Sequence, residues 1–252
     1  MRLPGLWTLA VVTACLCLPG SALGQTEGDY LYNVTMLRAA PGHFTELSSA
    51  LEESLAIHER AGDRAPFWIR HSQGDQWDFM LIHPMNDYVS YYAADRIQDR
   101  ATAWGTGPGL EVSERLSSLV SYREEWFARS VAVDEMARRF EGMGLFHVEM
   151  FAGLPGKRAE LLEQRRMENR YYEHLDRQQN VLFVREGGSN WDAMTIGFFA
   201  NLQEFAAAGT LYSSADRDEA ARAAGFDGID QVGPYLRSLI DYHHDTLAVS
   251  AQ

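Results

Sequence analysis

Two residues near the middle of the chain, His147 and Glu149, are of the types that bind metals or transfer protons. They lie two positions apart in an alternating segment typical of a β-strand, so their side chains are expected on the same face. An imidazole beside a carboxylate can ligate a divalent metal, or act as a general base held in place by its partner. A buried His–carboxylate pair with a purely structural role is the alternative.

A second polar run occupies residues 243–245, near the C-terminus. On a strand, His243 and Asp245 share one face and His244 lies on the other. If this strand pairs with the one that carries the first His and Glu, His244 or His243 could approach them. The result would be a set of two histidines and one carboxylate suited to a divalent metal. A helix end, where the dipole favours histidine, is the alternative.

These candidates belong to a chain built from two copies of one unit. Residues 32–93 reappear at residues 146–207 with a constant offset of 114 and no gap, and the ends of the copies align with an offset of 120. Identical residues in both copies indicate scaffold, because a function confined to one pocket would let the other copy diverge. The clearest identical pairs are Pro41/Pro155, Gly42/Gly156, Gly74/Gly188, Trp77/Trp191 and Asp78/Asp192.

Function is expected instead at the paired positions that differ. Asn33 and Thr35 share one face of the first strand and correspond to the His and Glu of the second copy. Glu124 corresponds to His244. We therefore predict that His147, Glu149, His244 and Asn33 form the catalytic set, and that Thr35 contacts a ligand.

Each copy contains the elements β-α-β-β-α-β in that order. Alternating or apolar-rich segments predict the strands, and apolar residues at steps of three and four predict the helices. Copy one then spans residues 25–131, a helical linker spans 132–143, and copy two spans 144–252. The predicted strands are 30–38, 67–72, 77–83 and 126–131 in copy one, and 145–151, 181–186, 191–198 and 247–250 in copy two.

This pattern, with a Pro-Gly after the first strand of each copy, resembles the dimeric α/β-barrel superfamily. Its members include NIPSNAP-type domains, small monooxygenases of antibiotic biosynthesis, haem-degrading monooxygenases and chlorite dismutases. The resemblance implies an α+β fold in which two ferredoxin-like units pack sheet to sheet as an intramolecular pseudo-dimer. Because no catalytic signature of these families is matched, it implies a fold far more strongly than an activity.

Several other residues are candidates for lining a pocket. Trp68, Tyr92 and Tyr172 could contact a flat ligand, although core packing accounts for aromatic residues equally well. The first helix of copy two is basic, and Arg166 on it could receive an anionic substrate or a haem propionate. A solvated helix face is the alternative.

Three histidines fall near the ends of predicted elements. His58 and His174 lie late in the first helix of each copy, where either could face a cleft between helix and sheet. His83 precedes Pro84 at the predicted end of a strand, so we expect it to be solvated.

The first 24 residues read as a signal peptide cleaved after Gly24, which predicts a periplasmic or secreted protein. A lipid anchor at Cys15 is disfavoured because the apolar run continues past it. Both cysteines, Cys15 and Cys17, would be removed, so the mature chain has no thiol chemistry. No later segment is apolar enough to span a membrane, and the net charge of −13 argues against nucleic-acid partners.

Three functions remain open at this stage. The first is an exported pocket protein that binds, and could transform without a cofactor, a small and partly apolar organic ligand. A second is a haem- or metal-dependent oxidoreductase, although no histidine can be matched to the axial ligand of the haem-handling relatives. A third is a non-enzymatic solute-binding or interaction protein.

Overall fold

The computed structural model of this chain describes residues 28–251, so the predicted signal peptide and both cysteines lie outside the described residues. Copy one contains β1 (Tyr30–Ala39), α1 (Phe44–Arg60), β2 (Phe67–Gln73), β3 (Phe79–Asn86), α2 (Tyr88–Tyr91), α3 (Ala94–Gly105), α4 (Gly107–Leu119) and β4 (Val120–Ser130). Helix α5 (Val133–Phe140) follows. Copy two contains β5 (Leu145–Gly153), α6 (Arg158–His174), β6 (Val181–Gly187), β7 (Ala193–Phe199), α7 (Leu202–Ala207), α8 (Ser214–Ala223), a 3-10 turn (Ile229–Gln231), α9 (Val232–Arg237) and β8 (Ile240–Ser250).

The strands form one closed barrel in the order β1-β3-β2-β8-β5-β7-β6-β4. Within each copy the strands follow the ferredoxin-like order, and two antiparallel pairs, β2–β8 and β4–β6, join the copies. The predicted α+β pseudo-dimeric barrel is therefore confirmed. No helix in residues 28–251 is both long and apolar enough to cross a lipid bilayer.

Strand alternation divides the apolar residues between the inside and the outside of the barrel. On β1, Tyr32, Val34 and Met36 point inward and are at most 2% exposed. Trp77, Trp126 and Trp191 lie in the same inner cluster. The barrel interior is thus filled by side chains, and the clefts described below lie on its outer face, beneath the helices.

Asp78 and Asp192 have the same structural role in the two copies. The Asp78 Oδ2 accepts a hydrogen bond of 2.8 Å from the backbone N–H of Ala39, at the end of β1. The Asp192 Oδ2 accepts one of 2.9 Å from Gly153, at the end of β5. The prediction that these aspartates belong to the scaffold is confirmed.

Gly74 and Gly188, in the β2–β3 and β6–β7 hairpins, are required by close approach between the copies. Both have positive φ, +119° and +102°. A Cβ on Gly74 would lie 2.3 Å from the backbone oxygen of Asp245, and one on Gly188 would lie 3.0 Å from the Cα of Trp126. Each hairpin therefore meets the last strand of the other copy through a glycine.

The last strand of each copy begins earlier than predicted. β4 starts at residue 120 and β8 at residue 240, whereas the predicted starts were 126 and 247. The early part of each strand carries charged residues on both faces and therefore lacks an apolar alternation. As a result, residues 123–125 and 243–245 lie inside strands, where their side chains alternate between the two faces.

Candidate functional site

Each copy has a cleft between the outer face of its sheet and its helices. The first cleft is bounded by β1, β3 and β4 and by α1, α3 and α4. The second cleft is bounded by β5, β7 and β8 and by α6. Thr35 and Leu37 on β1 face the first cleft, and their counterparts Glu149 and Phe151 on β5 face the second. The two clefts are therefore equivalent in backbone and differ in side chains.

The first cleft contains a cavity of about 490 Å³. Its walls combine apolar side chains with a smaller number of polar groups, a composition typical of sites for small organic molecules. The apolar residues are Leu37, Leu51, Leu81, Leu116 and Val120, together with the ring of Trp104. The polar residues are Thr35, Ser54, His58, His83, Ser113, Ser117 and Arg123.

Two histidines face each other in this cavity. The His58 ring centroid lies 5.3 Å from that of His83 and 5.1 Å from that of Trp104, which meets it edge-on. Burial, with smaller contributions from the nearby His58 and Arg123, lowers the pKa of His83 to about 3. Burial also lowers the pKa of His58, against the opposing effect of Asp63. Both imidazoles are therefore neutral at pH 7, and each can accept a proton or a hydrogen bond.

A polar cluster borders the cavity at β1 and β4. The Thr35 hydroxyl donates to the Asn33 Oδ1 at 2.9 Å and lies 3.3 Å from the Glu125 Oε1. The Arg123 Nε donates to the same Glu125 oxygen at 3.0 Å. Asn33 also pairs with His83 in the β1–β3 register, which puts its side chain on the outer face with the cluster. The predicted residues Asn33 and Thr35 thus lie in or beside the cavity.

The second cleft is filled by a buried polar network. Leu51, Ser54 and His58 of α1 correspond to Arg165, Glu168 and Tyr172 of α6. Arg165 is 2% exposed and pairs with Glu168, and its guanidinium carbon lies 4.5 Å from the centre of the Phe151 ring. The Tyr172 hydroxyl donates to the Glu168 Oε1 at 2.7 Å. We call Arg165, Glu149, Glu168 and Tyr172 the Arg165 network.

Glu149 is the sheet member of this network. Its Oε2 accepts a hydrogen bond of 3.2 Å from the Thr195 hydroxyl and lies 3.6 Å from the Arg165 Nη1. Burial raises the pKa of Glu149, although the positive charge of Arg165 opposes this shift. The carboxylate is therefore incompletely compensated by its protein partners.

His147 contacts Asp245 at the rim of the second cleft. The His147 Nε2 and the Asp245 Oδ1 are 2.6 Å apart. Burial opposes charge on His147, but the hydrogen bond to Asp245 and the charge of Glu149 outweigh it and raise its pKa. The same hydrogen bond lowers the pKa of Asp245. His147 and Glu149 are thus brought together with a carboxylate.

His244 does not join that group, so its predicted place in a set of two histidines and one carboxylate is wrong. In the β5–β8 register Asp245 lies opposite Glu149, and His244 lies opposite Met150 and points to the inner face. There the His244 Nδ1 lies 2.9 Å from the Asp75 Oδ2, and its ring is 4.8 Å from that of Trp191. Strand alternation therefore separates the two neighbours.

Three predicted ligand-binding residues lie outside both clefts. Trp68 is buried against Phe79, with ring centroids 6.0 Å apart, and does not reach the cavity. Tyr92 is 49% exposed on the surface. Arg166 is on the outer side of α6, with its Nη1 3.8 Å from the Glu163 Oε2. Only Tyr172 of the predicted aromatic set lies in a cleft.

Other cavity residues were missed from the sequence. The expectation that His83 is solvated is wrong, because β3 continues to residue 86 and turns the His83 ring into the cavity. Trp104 and Arg123 were not singled out. The alignment of α1 with α6 indicates a difference between the clefts, because Leu51 and Ser54 correspond to Arg165 and Glu168. Either His58 or His174 was expected to face a cleft. His58 lines the cavity, whereas His174 is exposed.

Within residues 28–251, neither of the two clefts fits a haem. In the second cleft the Arg165 network occupies the space between sheet and helix. In the first, the imidazoles of His58 and His83 face each other at 5.3 Å and Trp104 covers one of them, which leaves no room for a macrocycle between them.

No family model matches the sequence, and no curated protein matches it. The fold is similar to solved structures over most of both chains. Two are named as putative monooxygenases. The one from Lactobacillus acidophilus is 8% identical, covers 89% of this chain and 95% of that chain, and has a TM-score of 0.50. The one from Fusobacterium nucleatum is 10% identical, covers 89% and 94%, and has a TM-score of 0.53. An anthrone oxidase-like protein is 10% identical, covers 88% and 91%, and has a TM-score of 0.52.

These similarities define the class of fold. The chain has the dimeric α/β-barrel fold, with both halves on one polypeptide. At such low identity they establish the fold alone, so function must be argued from the clefts.

Proposed function

We propose that the first cleft binds a small, partly apolar organic molecule and exchanges a proton with it through His58, with no cofactor. The observation that carries this proposal is the cavity of about 490 Å³ with two neutral histidines in its wall. Its volume falls within the range of about 300–1,000 Å³ found for small-molecule sites.

The arrangement of the walls indicates the shape of the ligand. Leu37, Leu81 and Leu116 supply apolar surface, which favours a flat hydrocarbon or aromatic body. Arg123 lies at the cavity with its side chain 62% exposed, so its guanidinium can pair with an anionic or electron-rich oxygen. We infer a ligand with an apolar ring system and a carbonyl or hydroxyl group at one end.

The histidines suit removal of a weakly acidic proton. A neutral imidazole accepts a proton, and Asp63 favours the positive charge that would then form on His58. His83 is much less basic, so we assign it to hydrogen bonding rather than proton transfer. The names of the structural neighbours, which include an anthrone oxidase-like protein, support a flat aromatic ketone as a probe of this chemistry.

Binding can be tested with 8-anilinonaphthalene-1-sulfonate, whose rings match the apolar wall and whose sulfonate matches Arg123. We expect its fluorescence to rise with the wild-type protein and to be displaced by anthrone. Ser113→Trp, which fills the cavity from α4, should abolish the signal. Ser118→Trp, on the exposed side of the same helix, is the matched control and should retain it. Equal binding by both variants would contradict the proposal.

Proton transfer can be tested without oxidation by following deuterium exchange at the acidic carbon of anthrone by NMR under nitrogen. The protein should accelerate this exchange. His58→Gln should reduce the acceleration by at least about 100-fold, the usual contribution of a general base. If the variant binds the dye and exchanges anthrone at the wild-type rate, His58 is not the base and the cleft only binds.

We also propose that the protein is exported and that residues 1–24 are removed. The charged start, apolar run and small residues before Gln25 support this. Mass spectrometry of the protein recovered from a periplasmic fraction should give a chain that begins at Gln25. A full-length chain in the cytoplasm would overturn this proposal and leave the role of the cleft untouched.

A further inference from the structure

We propose that His147, Glu149 and Asp245 bind a divalent first-row metal ion at the rim of the second cleft. The proposal is independent of ligand binding in the first cleft. It rests on the geometry of three side chains from two paired strands and on the charge around them.

The three side chains supply one nitrogen and two oxygen ligands to a common point. One ligand atom from each lies within 4.8 Å of those of the other two. Glu149 and Asp245 are directly opposite each other in the β5–β8 register, and His147 is two residues before Glu149 on the same face. An imidazole with two carboxylates is a donor set suited to Zn²⁺ or Mn²⁺.

The excess of negative charge around these residues favours binding of a cation. Three carboxylates, Glu149, Glu168 and Asp245, are set against one guanidinium, that of Arg165. Arg165 is directed mainly to Glu168, and its Nη1 is 3.6 Å from Glu149, beyond hydrogen-bond distance. His147 must release its proton to ligate the ion, and two negative charges then remain on these groups. A divalent ion would balance them, which is the usual requirement for keeping such carboxylates out of water.

The surroundings of the site suit an ion that retains water ligands. Asp245 is 56% exposed, so an ion can enter from solvent, whereas the Glu149 side chain is only 13% exposed and fixed by Thr195. The His147 ring packs against Phe205 of α7, with centroids 5.3 Å apart. Two strands and one helix thus hold the ligands, and the outer positions of the ion remain open.

The first copy provides an internal comparison. The equivalent positions hold Asn33, Thr35 and Glu125, which offer one carboxylate and two weak neutral ligands. That carboxylate is already paired with Arg123. The metal-binding set is therefore confined to the second copy, although the backbone is the same in both.

The test is titration of Zn²⁺ into the chelator-treated full chain by isothermal calorimetry. The wild-type protein should bind one ion. Asp245→Asn and Glu149→Gln, which keep size and remove charge, should each weaken binding at least about tenfold, because even outer-shell changes at metal sites have that effect. Glu125→Gln in the first cleft and His174→Ala on the surface are the matched controls, and both should bind as the wild type does.

A second measurement protects the test against misfolding and against surface histidines. Co²⁺ bound to the wild type should give visible d–d absorption bands that are absent in Asp245→Asn. The Asp245 side chain is 56% exposed, so this substitution leaves the core packing unchanged. Zn²⁺ should also raise the Tm of the wild type and not that of this variant. Two results would overturn the proposal. One is failure of the wild type to bind Zn²⁺ at about 1 mM, and the other is binding by Asp245→Asn and Glu149→Gln as tight as that of the wild type.

Discussion

The two clefts are built on equivalent strands and helices, yet one is open and the other is filled. In the first, Leu51, Ser54 and His58 leave a cavity of about 490 Å³. In the second, the residues at the same helical positions are members of the Arg165 network, and they occupy the space. The barrel therefore accommodates either an open or a filled cleft, because the contacts that define the barrel lie in its interior and at the strand ends.

The strongest test of this comparison is Arg165→Leu, which gives the second cleft the residue of the first. Glu149 and Glu168 would then be buried without their guanidinium partner, so we expect a loss of about 3–5 kcal/mol in the free energy of unfolding. Urea denaturation measures it. Arg166→Leu, the adjacent surface position, should cost less than about 1 kcal/mol.

A rescue extends that experiment. Adding Glu149→Thr and Glu168→Ser to Arg165→Leu removes the uncompensated charges and gives these three positions the residues of the first cleft. Stability should recover in part, and a second dye-binding site should appear. If Arg165→Leu and Arg166→Leu lower the free energy of unfolding equally, the Arg165 network does not stabilise the second copy.

A smaller effect is expected at the aspartates that the copies share. Asp78→Ala removes one charge-assisted hydrogen bond to the backbone and should cost about 1.5–3 kcal/mol. Asp192→Ala should cost more, because the Asp192 Oδ1 also accepts a hydrogen bond of 2.7 Å from Arg185. Parallel urea denaturation of the two variants measures the difference. A larger loss for Asp78→Ala would show that the two scaffolds are not equivalent in energy.

A gradual effect, with a slope of at most about 1.4 kcal/mol per pH unit for one proton, has opposite signs in the two clefts. The pKa of His83 is about 3 in the folded state, below its unfolded value near 6.5. The unfolded chain therefore takes up the proton first, and stability from His83 is lost as pH falls from about 6.5 towards 3. The pKa of His147 is raised, so its contribution is present below about 6.5 and is lost as pH rises through its folded pKa.

NMR titration of ¹³C-labelled histidine checks both signs, with His83→Asn and His147→Asn used to assign the signals. The His83 signal should stay that of a neutral ring down to pH 5. The His147 signal should stay that of a charged ring above pH 6.5. A normal titration of His83 would mean that water fills the cavity and screens the ring.

The sequence predicted the fold because the repeat, the Pro-Gly turns and the alternation of β1 and β5 agree with one another. The sequence predicted strand bounds less accurately where charged residues interrupt an apolar pattern. Residues 243–245 read as a polar cluster, and only the structure places them within β8 and residues 123–125 within β4. The length of β3 was likewise hidden by Pro84, which lies inside the strand.

The site was predicted in part. His147 and Glu149 were identified from their spacing, and the structure adds Asp245 rather than His244. Choosing between these neighbours requires the strand register, and a shift of one residue exchanges the two faces. The cavity could not be predicted at all from single positions, because it depends on small side chains on α1 and α4 that leave space between them.

The β2–β8 and β4–β6 pairings also bear on how the two copies can change over time. In a dimer of identical chains every substitution appears twice, and assembly depends on concentration. Here the linker through α5 makes the association intramolecular, at a high and fixed effective concentration. One half can therefore accumulate charges such as Arg165 while the other keeps an open chamber, and dilution cannot separate them.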